Sequence, residues 1–243
     1  MKAFLLAAGL GTRLRPLTNK IPKCLVKVYG KPLLEWWIIL FEQYGISEVL
    51  INLHHLPAQV KMFVENYPTD VKFTFSYENK LLGSAGTLIA NKNFVDDENE
   101  FFIFYSDNLT NYNLTNFLNF HRNHTNNFSM ALFRTNDPKS KGIAVLDEDN
   151  TIIEFEEKPK NPKSDLANAG IYIASPYIFH VLPKQINDDI LDIGFNLLPK
   201  LVGEMSGWET DGYLIDIGTH KDLKKAEKEW PQIVTANNYR RII

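Results

Sequence analysis

Short apolar runs alternate with segments of helical spacing along most of the chain, and that alternation restricts the fold more than any other feature of the sequence. Ala3 to Ala7, Val49 to Asn52 and Phe101 to Tyr105 are brief and almost wholly apolar. Runs of that length suit strands buried on both faces of a parallel sheet. Pro32 to Tyr44 opens on a proline, spaces its apolar residues as a helix does and stops at Gly45, and Pro57 to Tyr67 looks like a second helix. Val71 to Tyr77 alternates polar and apolar residues, so it is a half-exposed strand suited to a sheet edge. Strand and helix in repetition mark βαβ units around a parallel sheet.

After Arg134 the pattern changes. Ile143 to Leu146 and Ile152 to Phe155 flank the turn-forming run Asp147 to Asn150 and form a hairpin. Ala169 to Ala174 and Tyr213 to Ile217 read as strands, Pro176 to Leu182 as a short helix and Lys221 to Glu229 as a charged amphipathic one. The asparagine-rich stretch from Asn108 to Asn127 keeps Leu114, Phe117, Leu118 and His121 at helical spacing, so it is a helix with a biased surface. The expected fold class is α/β: a Rossmann-like, doubly wound mixed sheet with a smaller β-rich lobe, in a single unit over residues 1–243.

The chain carries 26 Lys and Arg against 29 Asp and Glu in 243 residues, a formal net charge of -3. That balance gives no field of the kind nucleic-acid binders use, and no nucleic-acid partner is expected. The single cysteine, Cys24, excludes an internal disulfide and points to a reducing cytoplasm. No stretch approaches the ~20 apolar residues of a membrane span; Leu33 to Phe41 is broken by Glu35. Arg13 and Arg15 stand where a signal peptide would need small residues. The four Asn-x-Ser/Thr sequons between Asn108 and Ser129 therefore carry no functional weight. The expectation is a cytoplasmic protein with no membrane partner.

The chemistry should sit in the string from Leu6 to Thr18, directly after the first strand, because ligands bind at the carboxyl ends of strands in such sheets. Gly9 and Gly11 let backbone N–H groups approach a polyphosphate, and Arg13 adds a planar donor fork. A dinucleotide fingerprint requires glycine at position 14 and an acidic residue ending the second strand, but the chain has Leu14 and Asn52. A Walker A loop occurs nowhere. Both common nucleotide motifs are excluded.

With Pro22-Lys23-Cys24-Leu25-Val26, the glycine-rich string resembles the signature of the sugar-1-phosphate nucleotidyltransferases. Leu82 to Thr87 resembles that family's second glycine-rich segment, and Tyr105-Ser106-Asp107 its aspartate after a buried strand. Glu156 to Pro159 matches its EEKP motif, Asn168 to Tyr172 its NAGIY segment and Asp216 to Thr219 its DIGT motif. The resemblance covers nearly the whole chain. It implies transfer of a nucleotidyl group from an NTP to a sugar 1-phosphate, with Mg²⁺ as cofactor. On this reading residues 1 to about 135 form the nucleotide-binding half, and about 136 to 243 the sugar-binding half and C-terminal helix.

The family match implies roles residue by residue. Leu6, Ala7, Ala8, Gly9, Gly11, Thr12, Arg13, Lys23, Gly83 and Ser84 are expected around the nucleotide. Arg13, Lys23, Asp107 and Asp216 are the candidate catalytic residues, with Asp107 and Asp216 holding the metal. Gly142, Glu157, Lys158, Asn168 and Gly170 are expected around the sugar phosphate. Such a displacement needs no protein nucleophile, because the sugar phosphate supplies one; the cations bring two anions together. Ser106, where many members have glycine, and Asn108 depart from the pattern and leave the geometry beside Asp107 open.

The remaining candidates carry less. His121 and His124 lack a third ligand and read as a surface pair, His54 and His55 as packing or capping groups, and Glu156 as pointing away from Glu157. The mechanism has no use for the Cys24 thiol. Trp36 and Trp37 read as core, any exposed remainder being a candidate contact of a homo-oligomer. No β-helix repeat follows the DIGT motif, so no second acyltransferase activity is expected. The strings around residues 82, 106, 166 and 212 resemble the mannose-1-phosphate guanylyltransferase branch, including enzymes that activate manno-heptose 1-phosphate. GTP with a manno-configured sugar is the favoured substrate pair; a uridylyl- or thymidylyltransferase acting on glucose 1-phosphate, or an inactive nucleotide-sugar sensor, stands as the alternative.

Overall fold

A computed structural model describes residues 1–186 and 190–236. The chain opens with β1 (Lys2–Leu6), a ribbon of β2 (Lys27–Val28) and β3 (Lys31–Pro32), and helix α1 (Leu33–Gln43). β4 (Glu48–Leu53), α2 (Pro57–Asn66), β5 (Lys72–Tyr77) and α3 (Ser84–Ala90) follow, then β6 (Phe101–Tyr105), β7 (Asn108–Thr110) and α4 (Leu114–Arg122). Next come β8 (Phe128–Arg134), β9 (Gly142–Leu146), β10 (Ile152–Glu157) and β11 (Leu166–Ala174). The last elements are α5 (Ile178–Val181), β12 (Ser206–Glu209), β13 (Leu214–Asp216) and α6 (His220–Ala236).

Nine strands form one mixed sheet with the order β10-β9-β11-β6-β1-β4-β5, and β8 and β12 branch from β11. β1 is parallel to both β4 and β6, and β5 is parallel to β4. That parallel block is the doubly wound part, with the alternating strand β5 at its edge as expected. β11 joins it antiparallel to β6, and the β9–β10 hairpin extends the sheet beyond β11. The β-rich second half is thus continuous with the main sheet. The physical reason lies in β11, which is buried along nearly its whole length and needs neighbours on both edges for its backbone groups.

Helix α1 buries eight apolar side chains around its circumference, so it has no solvent face to speak of. Trp37 and Phe41 pack on Phe104 of the sheet, while Trp36 meets Trp230 of α6 edge-on at 5.4 Å. α6 therefore covers α1 on the side away from the sheet. With Trp36 and Trp37 only 6% and 2% exposed, neither leaves a remainder for a subunit contact. The asparagine-rich helix is α4, capped by the Asn113 side chain on the Asn116 N–H at 3.0 Å, with Leu114, Phe117 and His121 inward.

Six elements are additional to the sequence reading: the short strands β2, β3 and β7, and β8, β12 and α3; β7 occupies the start of the asparagine-rich stretch read as helix, whose helical part is Leu114–Arg122. β8 is an apolar run whose signal is masked by the polar stretch before it. α3 starts immediately after Gly83, so its helical pattern is hidden inside a glycine-rich segment. None of the described helices is long and apolar enough to cross a membrane.

Candidate active site

The loop after β1 is tied to the end of β4 by the Ala7 N–H, which donates to Asn52 Oδ1 at 2.6 Å. Asn52 Nδ2 donates to Glu78 Oε1 at 2.7 Å and to Thr87 Oγ1 at 2.9 Å. Thr87 donates to the same carboxylate oxygen at 2.6 Å, and the Leu82 N–H reaches Glu78 Oε2 at 3.1 Å. This network joins the first loop, β4 and the second glycine-rich segment around a cavity of about 310 Å³. Leu6, Ala7, Ala8, Gly9, Lys23, Gly83 and Ser84 line it with Asn52, Glu78, Ser106, Asp107 and Asp192. A Cβ on Gly9 meets no protein atom within 4 Å, so its backbone borders open space.

Gly83 has φ +80°, and a Cβ there falls 2.2 Å from the Leu191 carbonyl oxygen; only glycine fits. That same carbonyl accepts the Ala85 and Gly86 N–H groups at 2.9 and 3.2 Å. Ser84 Oγ donates to Asp192 Oδ2 at 2.9 Å and accepts the Ile193 N–H at 2.8 Å. The Ser84 hydroxyl therefore fastens the second glycine-rich segment to residues 191–193.

Asp107 follows β6 and Asp216 closes β13. β13 runs antiparallel to β7 with Asp216 opposite Asn108, and the Ile217 N–H donates to the Asp107 carbonyl at 2.9 Å. A two-stranded ribbon thus sets side by side two carboxylates distant in sequence. The turn is braced by Trp37 Nε1, which donates to the Ser106 carbonyl at 3.3 Å, and by Asn108 Nδ2, which donates to the Ala169 carbonyl at 2.8 Å. Asn108 is thus a clamp between β7 and β11, and Ser106 is 4% exposed at the wall of the cavity. Lys23 Nζ pairs with Asp107 Oδ2 and stands 3.5 Å from Asp216 Oδ1. Burial and then the neighbouring Asp107 charge push the Asp216 carboxyl above its usual range, with Lys23, Lys141 and Arg13 opposing.

Asp216 Oδ1 is buried without a hydrogen-bond partner. A desolvated carboxylate oxygen beside a second carboxylate is a hard-oxygen donor set that suits Mg²⁺. No cluster of three or more His, Cys, Asp or Glu side chains that could hold a metal ion exists among the described residues, so a cation held by this pair would need further ligands from water and substrate phosphates. The pair fits a divalent ion on those terms.

A second cavity of about 1030 Å³ adjoins the first and shares Tyr105, Asp107 and Asp192 with it. Gly142, Glu157, Lys158, Asn168 and Gly170 all line it, with Asp216 and Arg13. Pairing of β11 with β8 shifts register between Asn168 and Tyr172, and Gly170 sits at φ +67°. The NAGIY segment is thus a bulge, a device that re-aims side chains next to sites. Asn168 Oδ1 accepts the Gly170 N–H and its Nδ2 donates to the Tyr172 hydroxyl, both at 2.8 Å. Glu157 lies opposite Gly142 across the hairpin. Its Oε2 would be 2.5 Å from a Cβ on Gly142 and 2.9 Å from one on Gly194, so two glycines form the slot that holds this carboxylate. Burial pushes its carboxyl upward, and Lys158 opposes that shift.

Arg13 borders the larger cavity and not the smaller one, its guanidinium against Gly218, where a Cβ falls 2.9 Å from Nη2. Gly11 and Thr12 line neither cavity. Gly11, at φ +62°, instead makes the turn whose carbonyl accepts Thr18 Oγ1 at 2.7 Å. Sequence reasoning passed over Asn52, Glu78, Asp192 and Gly194. Asn52 had entered only as the wrong residue for a dinucleotide site, Glu78 stands just past the strand read as Val71 to Tyr77, and residues 183–210 offered no periodicity from which to place Asp192 and Gly194.

Several other side chains are structural. Burial pushes the Cys24 thiol up to about 12, which removes it as a nucleophile. His54 and His55 hydrogen-bond the carbonyls of Glu78 and Thr18, each at 2.7 Å. His124 bonds the Phe120 carbonyl at 2.7 Å. His121 is buried rather than superficial, with Nδ1 at 2.8 Å from Ser129 Oγ.

A mannose-1-phosphate guanyltransferase of Candida glabrata is 31% identical to this chain over 230 residues, which are 92% of the chain and 63% of that protein. The chain thus spans somewhat less than two thirds of that relative. Among solved structures, a Bacillus anthracis protein assigned as a glucose-1-phosphate thymidylyltransferase, in complex with sucrose, is 28% identical with a TM-score of 0.82, covering 94% of each chain. HddC of Yersinia pseudotuberculosis, complexed with GMP-PN, is 25% identical with a TM-score of 0.77, covering 94% of this chain and 99% of that one. Residues 2–232 match the model of the nucleotidyl transferase family, and the chain belongs to that family.

Proposed function

We propose that this chain transfers a nucleotidyl group from an NTP to a sugar 1-phosphate, releasing pyrophosphate, with GTP and mannose or manno-heptose 1-phosphate as the preferred pair. The observation that carries the reading is the meeting of two cavities at Asp107, with Lys23 and Asp216 beside it. A nucleotide in the smaller cavity and a sugar phosphate in the larger bring their phosphates together at that junction. An oxygen of the sugar phosphate attacks the α-phosphorus, one P–O bond forms, the α–β anhydride bond breaks, and pyrophosphate leaves with the electron pair. Lys23 neutralises charge as it builds on the α-phosphoryl group, while Arg13 and Lys158 hold phosphate oxygens from the walls. Asp107 and Asp216 are the residues that would hold a divalent ion, and Mg²⁺ bound there would supply further charge neutralisation and orientation.

Glu78 offers an acceptor to a base in the smaller cavity. Oε1 accepts from Asn52 and Thr87 and Oε2 from Leu82, which uses three of roughly four acceptor positions of a carboxylate. The remaining position takes an N–H and offers none. Guanine N1–H, the N3–H of uracil or thymine and the exocyclic amino groups of adenine and cytosine all meet that requirement, so the choice among bases rests on the relatives. The guanyltransferase relative and the GMP-PN complex favour guanine, whereas the Bacillus neighbour keeps thymidylyl transfer to glucose 1-phosphate as the second reading. The test is kcat/KM over NTPs and sugar 1-phosphates with pyrophosphate release as readout. A preference of about tenfold or more, about 1.4 kcal/mol, for UTP or dTTP over GTP removes the base assignment. No turnover with any pair removes the reaction class and leaves a sensor.

A further inference from the structure

Phe195 presents a large apolar side chain to a polar cavity. It is 59% exposed, and among the described residues lining the larger cavity it is the single large hydrophobic side chain more than a third exposed. The same cavity is lined by the polar or charged Glu157, Lys158 and Asn168. Among the described residues, Phe195 belongs to none of the hydrophobic core clusters and packs against none of them.

The turn that carries it is fixed. The Asn196 N–H donates to the Asp192 carbonyl at 2.8 Å, and the Asp192 N–H donates back to Asn196 Oδ1 at 2.7 Å. Asp192 Oδ1 accepts the Gly194 N–H at 2.8 Å, and Oδ2 accepts Ser84 Oγ at 2.9 Å. Ile193 and Leu197, on either side of the ring, are both fully buried. An aromatic ring held in water on a turn pinned from both ends suits recognition rather than stability.

We infer that Phe195 is a platform for the apolar C–H face of the sugar ring, and so a specificity-determining residue of the transferase reading, on which this inference rests. A pyranose has hydroxyls around its rim and aliphatic C–H groups on its faces. Its hydroxyls match the carboxylate and amide of Glu157 and Asn168, and its C–H face matches the electron-rich face of a phenyl ring. Gly194, beside Phe195, leaves room for the Glu157 carboxylate, so the ring and the hydroxyl acceptor border the same space. The smaller cavity does not include Phe195, which separates this contact from base recognition.

The test measures binding of GDP-mannose, UDP-glucose and dTDP-glucose, with GDP, UDP and dTDP as partners lacking the sugar, to the whole chain by calorimetry in the presence of Mg²⁺. For the nucleotide sugar that the wild type binds, Phe195→Ala weakens affinity by about five- to tenfold and leaves the matching nucleoside diphosphate within about twofold. Phe195→Tyr and Phe195→Trp stay within about twofold for both ligands, and Phe195→Leu falls in between. Equal weakening of both ligands, no change in either, or full retention by Phe195→Leu overturns the platform. A wild type that binds none of the nucleotide sugars overturns the transferase reading itself, and the platform with it.

Discussion

Lys23 touches one carboxylate of the junction and stands 3.5 Å from the other, so the consequences of removing it are read in turnover more than in affinity. Lys23→Ala is expected to lower kcat by about 10² to 10³, the loss typical of one preorganised electrostatic donor. Arg13→Ala and Lys158→Ala, on the walls of the larger cavity, mainly raise KM for phosphate-bearing substrate. Steady-state kinetics with each substrate varied separate the cases, and a Lys23→Ala effect confined to KM for the NTP assigns that residue to ground-state binding. Asp107→Asn and Asp216→Asn are expected to fold normally and lose most Mg²⁺-dependent turnover; near-normal rates in both remove the pair from the site. These residues were singled out in the sequence through the family's motifs: taken alone, Asp107 and Asp216 read equally as helix caps and Lys23 as a surface lysine, and the resemblance implied their roles. Asp192 and Gly194 were not singled out, because their roles arise from what another segment brings to them. Ser84 and Glu157 give them meaning only once the chain has folded.

At the scale of elements, the two glycine-rich segments make opposite demands. Gly83 is held by backbone, at φ +80° with a carbonyl oxygen where its Cβ would be, while Gly9 borders open cavity. Gly83→Ala must displace Leu191 or distort the entry to α3, so it is expected to cost about 1–3 kcal/mol of stability as well as raise KM for the NTP. Gly9→Ala should leave the unfolding midpoint nearly unchanged and still raise KM for the NTP, because the new methyl group occupies ligand space. Thermal unfolding and initial rates on the two variants test this together; equal loss of stability in both contradicts the geometry. The elements themselves were legible wherever burial and period agreed: the apolar runs of β1, β4 and β6, the alternation of β5, the turn chemistry between β9 and β10. β8 was obscured by the asparagines before it and α3 by its own glycine. The length of β11 was hidden because its bulge breaks the period at Gly170.

For the whole molecule, one buried side chain couples stability to pH independently of the junction. Helix α4 packs on β8 and β12, and His121 of that helix sits at the seam, 7% exposed, against Ser129 of β8. Burial lowers its pKa; Glu100, whose Oε2 lies 3.9 Å from Nε2, raises it in part, and Arg122 and His124 oppose protonation. In the unfolded chain a histidine titrates near about 6.5. A folded-state value below that means the unfolded chain binds more protons as pH falls through the window beneath ~6.5. Stability is therefore present above that pH and is lost as pH falls toward the folded-state value, with a slope of at most about 1.4 kcal/mol per pH unit for one proton. Glu157 and Asp216 act with the opposite sign, since their raised carboxyl pKa values make the folded state bind protons more readily. The parent protein alone reports the sum. Comparing it with His121→Gln, which keeps a hydrogen-bonding group near Ser129, cancels those shared terms. Urea midpoints measured from pH 7.5 to 5.5 are expected to fall more steeply for the parent than for His121→Gln. Parallel curves for the two proteins would show that His121 takes up its proton equally in the folded and unfolded chain, and the seam would then have no part in the acid response.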